Sequence, residues 1–173
     1  LISLDTLRAD HLGAWGYQRS TSPFLDALAA RGVRFARAFS QSPKTAPSHM
    51  SVFTGTYPFD HGAHFDYATA PPTVHPVRDE LPTLPELMLR AGFRTAAWTG
   101  GGQVSYSAGF ARGFHEFDTT LGKLDPKKME AIRRWFREHA DRQCCLFLHT
   151  YQIHDPYLPP PPYDALFTDP SYA

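Results

Sequence analysis

The stretch FRTAAWTGGG, residues 93–102, settles the fold class. Phe93 to Trp98 is short, apolar at its centre and stopped by three glycines, the pattern of a buried strand ending in a tight turn. Before it, Thr83 and Glu86 have capping-box spacing, and Leu84, Leu87 and Met88 give a helical apolar face that closes at Gly92. After it, Asp125-Pro126 opens a second helix, with Met129, Ile132, Trp135 and Phe136 as one stripe. Cys144 to His149 then reads as another strand. Helices alternating with strands at this spacing predict an α/β fold, a largely parallel central sheet flanked by helices.

The pattern extends toward the N-terminus. Leu1 to Leu4 reads as the end of a buried strand that runs into Asp5. Ser22 is placed as an N-cap with Pro23 at the first helical position, and Phe24, Leu25, Leu28 and Ala29 keep helical spacing up to Gly32. Val33 to Ser40 reads as a strand, although Arg34 and Arg37 interrupt its alternation. Pro47 to Thr54 predicts a short helix ended by Gly55, with Thr45 just ahead of it. The prolines fall mainly in 58–85 and 156–170, which read as loops, and no internal repeat is evident.

Composition narrows the function classes. The chain has 173 residues with 17 Lys+Arg against 17 Asp+Glu. Zero formal charge argues against a nucleic-acid grip driven by net charge. A hydrophobic fraction of 42% with 14% aromatic is that of a globular chain. Its length suits one domain. No run approaches the roughly 20 apolar residues of a membrane span. Cys144 and Cys145 are adjacent, which disfavours a bridge and predicts two buried thiols on a strand. A start at Leu1 rather than Met suggests a cut chain. It leaves the compartment open, periplasmic and extracellular locations included.

Ligands of open α/β sheets bind beyond the carboxyl ends of the strands. Asp5, Gly100 to Gln103, and His149 with His154 and Asp155 all follow predicted strands. Thr45 precedes a helix whose free N–H groups would favour an anion. Singly, each has a plain alternative: Thr45 an N-cap, Asp5 a turn residue, His154 an exposed loop histidine. Together, a carboxylate, a hydroxyl at a helix start and histidines point to a hard-metal, anion-handling site.

The segments LISLDTLRADHLGAWGY (1–17), TSPFLDALAARGVRFARAFSQSPKTAPSHMSVFTGTYPFDHG (21–62), TAAWTGGG (95–102), GFARGFHEFD (109–118) and FLHTYQIHDPYLPPPPY (147–163) resemble, in order, the N-terminal part of the sulfatase family of the alkaline phosphatase superfamily. The resemblance implies an alkaline-phosphatase-like domain of which residues 1–173 are the N-terminal part, truncated at both ends. It implies one divalent metal ion (calcium, manganese or magnesium) bound by Asp5 and Thr45, with the remaining ligands downstream. It places Thr45 at the nucleophile position and His154 against the transferred group and its leaving oxygen. Pro47 and Ser48 match the proline and serine of the Cys/Ser-x-Pro-Ser-Arg signature. His49 stands in place of the signature arginine and is grouped with Thr45 and His154 as catalytic. Ser48 and His149 are the expected substrate-binding residues.

The departures carry chemistry. Typical sulfatases convert the signature Cys or Ser to formylglycine; Thr45 cannot be converted that way, so formylglycine is not expected. A threonine ester must be released by water attack at sulfur or phosphorus, which phosphorus tolerates well under metal stabilisation. TGGG also replaces a lysine- and histidine-bearing segment. The reading is therefore a metal-dependent hydrolase of sulfate or phosphate esters, small-molecule, glycan or lipid. Phosphodiester or phosphonate hydrolysis and phosphotransfer are the alternatives within the superfamily. A catalytically inactive anion-binding relative is the alternative of another class. A WW-domain ligand at Pro160-Pro161-Pro162-Tyr163 is a third. The 173-residue chain alone is expected to bind metal weakly and turn over little.

Overall fold

The computed structural model describes residues 1–122, 124 and 126–168. Asp125, read as the start of a helix, lies outside the described residues. In chain order the elements are β1 (Ile2–Leu4), α1 (Pro23–Ala29), α2 (Thr45–Thr54), α3 (Pro58–His61), β2 (His64–Asp66), β3 (Thr73–His75), α4 (Leu84–Arg90), β4 (Arg94–Trp98), β5 (Glu116–Asp118), α5 (Pro126–Glu138) and β6 (Cys144–Thr150). The chain forms two compact units, Leu1–Ser3 with Arg34–Thr150, and Leu4–Val33 with Tyr151–Ala173. Among the described residues, no helix is long and apolar enough to cross a membrane.

The first unit carries a four-stranded sheet in the order β1-β6-β4-β5. β4 runs parallel to β6, from Arg94 opposite Cys144 to Trp98 opposite Leu148, and parallel to β5 over Ala96 to Trp98. β4 is therefore an interior strand, which is why Thr95, Ala96 and Ala97 are buried. Ala46, Met50 and Phe53 of α2 bury against Ala97, Phe110 and Phe147. The Phe53 ring meets Phe110 at 5.4 Å and Phe147 at 4.9 Å, both edge-on. Each such fully buried aromatic side chain contributes about 2–3 kcal/mol of transfer free energy.

The predicted capping box is present: Thr83 caps α4, and the Thr83 N–H donates to Glu86 Oε2 at 2.8 Å. Arg112 extends it, pairing with Glu86 at 3.0 Å and donating to the carbonyls of Arg78, Asp79 and Leu81. Burial pushes the Glu86 carboxyl up, but the Thr83 hydrogen bonds and Arg112 outweigh it and hold it below the usual range. Gly113 makes this approach possible: it has φ +81°, and a Cβ there would lie 2.2 Å from the Glu86 nitrogen.

The second unit is built differently. Its burial is confined, among the described residues, to Leu12 and Ser22. The Gly13 N–H donates to Ser22 Oγ at 3.0 Å, Ser22 Oγ donates to Asp26, and the Ala14 N–H donates to Asp26 Oδ1 at 2.7 Å. Side-chain hydrogen bonds organise this unit more than apolar packing does.

Several expectations change. Val33 to Ser40 is no strand; it pairs with none, and Phe35 and Phe39 stand in solvent. The interrupting Arg34 and Arg37 were the physical signal against it. α1 forms where its caps predicted, but it buries no residue and Phe24 is 75% exposed. Ser22 holds the N-cap position, yet its hydroxyl serves Asp26 and Gly13 rather than capping a helix amide. Thr45 is the first residue of α2, not the residue ahead of it. In α5 only Ile132 and Trp135 of the stripe are buried, while Phe136 is exposed. Cys144 and Cys145 are free thiols on β6, but half-buried rather than buried. The short β2–β3 antiparallel pair and β5 carry no pattern long enough to read in advance. Pro160 to Tyr163 closes through a bond from the Tyr163 N–H to the Pro160 carbonyl at 2.9 Å. A WW ligand needs the extended polyproline conformation instead.

Candidate active site

In the first unit the site is built around the start of α2. Lys44 is the N-cap residue and makes no side-chain cap. Pro47 has no N–H, and Ser48 N–H already bonds the Lys44 carbonyl at 3.1 Å. The Ala46 N–H donates to Gln103 Oε1 at 3.1 Å, and Gln103 Nε2 donates to the Tyr67 hydroxyl at 2.9 Å. Lys44 Nζ lies 5.5 Å from the Tyr67 ring centroid, a cation–π contact.

The glycine run explains how Gln103 gets there. Thr99 Oγ1 donates to the Val104 carbonyl at 2.9 Å and accepts from the Gly101 N–H at 3.2 Å. Gly101 has φ +71°, and a Cβ on it would come within 2.9 Å of the Thr119 carbonyl oxygen. TGGG is thus a compact turn after β4 that delivers an uncharged amide where the sequence showed only missing cations.

His49 lies one turn below Thr45. Its Nδ1–H donates to the Thr45 carbonyl at 2.8 Å, and its Nε2 accepts from Ser3 Oγ on β1 at 2.7 Å. Its ring stands edge-on to that of His149 on β6, with centroids 4.9 Å apart. His149 is fully buried, and the Gly100 N–H approaches its Nδ1 at 3.4 Å. His49 therefore ties the start of α2 to the sheet. Ser48 Oγ lies 2.6 Å from Ser40 Oγ, at the edge of a cavity of about 400 Å³ that Phe39, Val52 and Tyr57 also line.

His61 supports α2 from α3. Its Nε2–H is shared between the Pro47 carbonyl and Ser51 Oγ, each at 3.1 Å, and its Nδ1 accepts from the Ala63 N–H at 3.0 Å. Burial pushes its pKa below the ordinary histidine value. No sequence pattern singled out Lys44, His61 or Tyr67, and Gln103 stood out only as the end of the polar run 100–103 after a predicted strand. Only the glycine run before Gln103 hinted at a tight turn there.

Asp5 and His154 belong to the second unit. Asp5 precedes Thr6, a β-branched residue at φ +64°, whose Oγ1 donates to the Ile153 carbonyl at 3.2 Å. Such a backbone is strained for threonine and costs on the order of 1–3 kcal/mol. His154 is half-buried, its Nδ1–H donates to the Asp155 carbonyl at 2.7 Å, and the Tyr151 ring meets it edge-on at 5.3 Å. With Nδ1 so engaged, the neutral ring offers only an acceptor at Nε2; it donates there only as the imidazolium. Of the expected residues, Thr45, Ser48, His49 and His149 share the first unit.

Among the described residues there is no group of three or more His, Cys, Asp or Glu that could hold a metal. The Asp5 carboxylate and Thr45 hydroxyl are hard oxygen donors, a type that suits calcium, magnesium or manganese.

Three likenesses stand out. Human N-acetylgalactosamine-6-sulfatase is 32% identical over 99 residues, 54% of this chain and 19% of that protein. The chain thus spans about a fifth of that relative. The crystal structure of phosphonate monoester hydrolase of Agrobacterium radiobacter matches with a TM-score of 0.73 at 20% identity, over 96% of this chain and 43% of that one. The C-terminal periplasmic domain of EcEptC from Escherichia coli, in complex with Zn, matches with a TM-score of 0.64 at 17% identity, over 98% of this chain and 48% of that one. Both structures share the fold. Residues 1–171 match the Sulfatase family as a whole, so the ordered motifs and the sheet that carries them lead to one conclusion: this chain belongs to the sulfatase family.

Proposed function

We propose that the full protein is a metal-dependent hydrolase of sulfate or phosphate esters, with Thr45 as its nucleophile. The observation that carries this is the placement of Thr45 as the first residue of α2, a helix anchored by buried Ala46, Pro47, Met50 and Phe53. A hydroxyl there sits on a rigid element, where the helix dipole favours an anion. Residues 1–173 are, in this reading, the N-terminal part of one larger α/β domain.

The reaction runs in two displacements. Thr45 gives up its proton to solvent, and Oγ1 forms a bond to phosphorus or sulfur as the bond to the leaving oxygen breaks. His154, as the imidazolium, hands the proton from Nε2 to that oxygen. Water then attacks the phosphorus or sulfur of the threonine ester and loses a proton to the now neutral His154 Nε2, Thr45 Oγ1 departs and takes a proton back from solvent, and the oxyanion is released. Asp5 and Thr45 are the residues that would hold a divalent ion, with further ligands outside this chain. The ion would lower the hydroxyl pKa and offset charge on the transferred group. His49 positions Thr45 through its carbonyl, and His149 backs His49 from β6. Ser48 is proposed to meet the substrate from the cavity edge.

The lean within the ester class is toward phosphorus, because a threonine ester has no aldehyde route for release. The fold shared with a phosphonate monoester hydrolase is in keeping with that lean. The test is the full-length Thr45→Ala protein assayed with p-nitrophenyl phosphate, p-nitrophenyl sulfate and a phenylphosphonate monoester under metal titration. A loss on the order of 10³-fold in kcat is expected. Undiminished turnover would overturn the assignment.

A further inference from the structure

The two residues that flank Thr45 are both held by side chains from distant segments. The Ala46 N–H is bound by Gln103 Oε1 at 3.1 Å, Gln103 Nε2 donates to the Tyr67 hydroxyl at 2.9 Å, and the Tyr67 ring lies against Lys44 Nζ at 5.5 Å. A helix start ordinarily takes its acceptor from its own Ser, Thr, Asp or Asn N-cap. Here the N-cap residue is Lys44, which has no acceptor to offer, and Pro47 brings no donor. Gln103, 57 residues away, fills that role. It does so with a neutral oxygen at the amide beside Thr45, where the helix dipole would otherwise draw an oxygen of an anion.

We infer that Gln103, anchored by Tyr67, is a positioning residue for Thr45 that also sets how tightly the site grips oxyanions. The inference rests on the reading of Thr45 as nucleophile. Held through Ala46, the first turn of α2 keeps Thr45 Oγ1 in one place. Because the Ala46 N–H is already engaged, an incoming or departing oxyanion competes with Gln103 for it. The product is therefore held less firmly than a bare helix start would hold it. Gln103 does not touch the reacting atoms; it acts through the Ala46 amide.

The experiment measures kcat on p-nitrophenyl phosphate and the affinity for inorganic phosphate by calorimetry, in full-length Gln103→Ala, Gln103→Glu and Tyr67→Phe proteins. Gln103→Ala is expected to lose about tenfold in kcat while binding phosphate about fivefold more tightly, the size of one hydrogen bond gained or lost. Gln103→Glu keeps an acceptor for the Ala46 N–H and adds negative charge, so it should bind phosphate more weakly than the native protein. Tyr67→Phe should move both readouts in the direction of Gln103→Ala, by less. Unchanged phosphate affinity in Gln103→Ala, or affinity and kcat falling together, overturns the inference. Should Gln103→Ala not fold, phosphate binding by Gln103→Glu at or above the native level overturns it instead. A fully active Thr45→Ala protein would break the nucleophile reading and the positioning role with it, whereas phosphate calorimetry on Gln103→Ala tests the oxyanion grip at the Ala46 amide separately.

Discussion

The two units hold their candidate functional residues by different physics. In the first, the helix that begins at Thr45 is fixed from behind by Met50, Phe53, Phe110 and Phe147, all nearly or wholly inaccessible to solvent. In the second, Asp5 and His154 sit on irregular backbone, held by bonds such as Thr6 Oγ1 to the Ile153 carbonyl and His154 Nδ1 to the Asp155 carbonyl. Packing gives the proposed nucleophile Thr45 a rigid mount. Short polar bonds give the proposed metal ligand Asp5 and the proposed proton donor His154 a local geometry at little cost in core volume. The contrast implies that apolar truncations damage the first unit and polar ones the second.

The largest effect that tests this is Phe110→Ala. Its ring is fully buried against Phe53, and its loss should cost about 3–5 kcal/mol of unfolding free energy. Urea denaturation of the full-length protein measures it, and a cost under 1 kcal/mol would dissolve the contrast. In the second unit, Ser22→Ala removes the acceptor of the Gly13 N–H and the donor to Asp26, for an expected loss of about 1–2 kcal/mol. Differential proteolysis of the 4–33 segment would show the change locally, before global unfolding does.

The smallest effect is a pH limb in the first unit. His61 is buried and its pKa lies below the usual value, so the folded state keeps it neutral while the unfolded chain takes up a proton near pH 6.5. Its contribution is whole above that pH and is lost as pH falls below it. The urea midpoint should therefore drop between pH 7.5 and 5.5, and His61→Gln should make that drop shallower. An identical pH slope in the variant would place the acid sensitivity elsewhere.

Much of the frame could be read in advance because its signals are local. The Thr83–Glu86 box, Gly55 after α2 and the apolar centre of β4 each lie within a few residues of what they specify. The order of motifs likewise pointed to the family. What escaped was non-local or too short. The Gln103 bond to Ala46 joins residues 57 apart, and the Ser3 bond to His49 joins residues 46 apart. No periodicity encodes either. β2, β3 and β5 are three residues each, below the length at which alternation means anything. Val33–Ser40 misled because apolar residues at strand spacing say nothing about whether a partner strand exists.

The turn at Gly101 bears on which substitutions this segment can accept. With φ +71° and the Thr119 carbonyl 2.9 Å from any added Cβ, position 101 admits no side chain without rebuilding the turn. Gly102, at φ +58°, is similarly disfavoured. A single substitution to lysine within 100–103 is thus channelled to Gly100 or Gln103, and at Gln103 it would remove the acceptor of the Ala46 N–H. Gaining a cation at position 103 and keeping that amide bonded are mutually opposed.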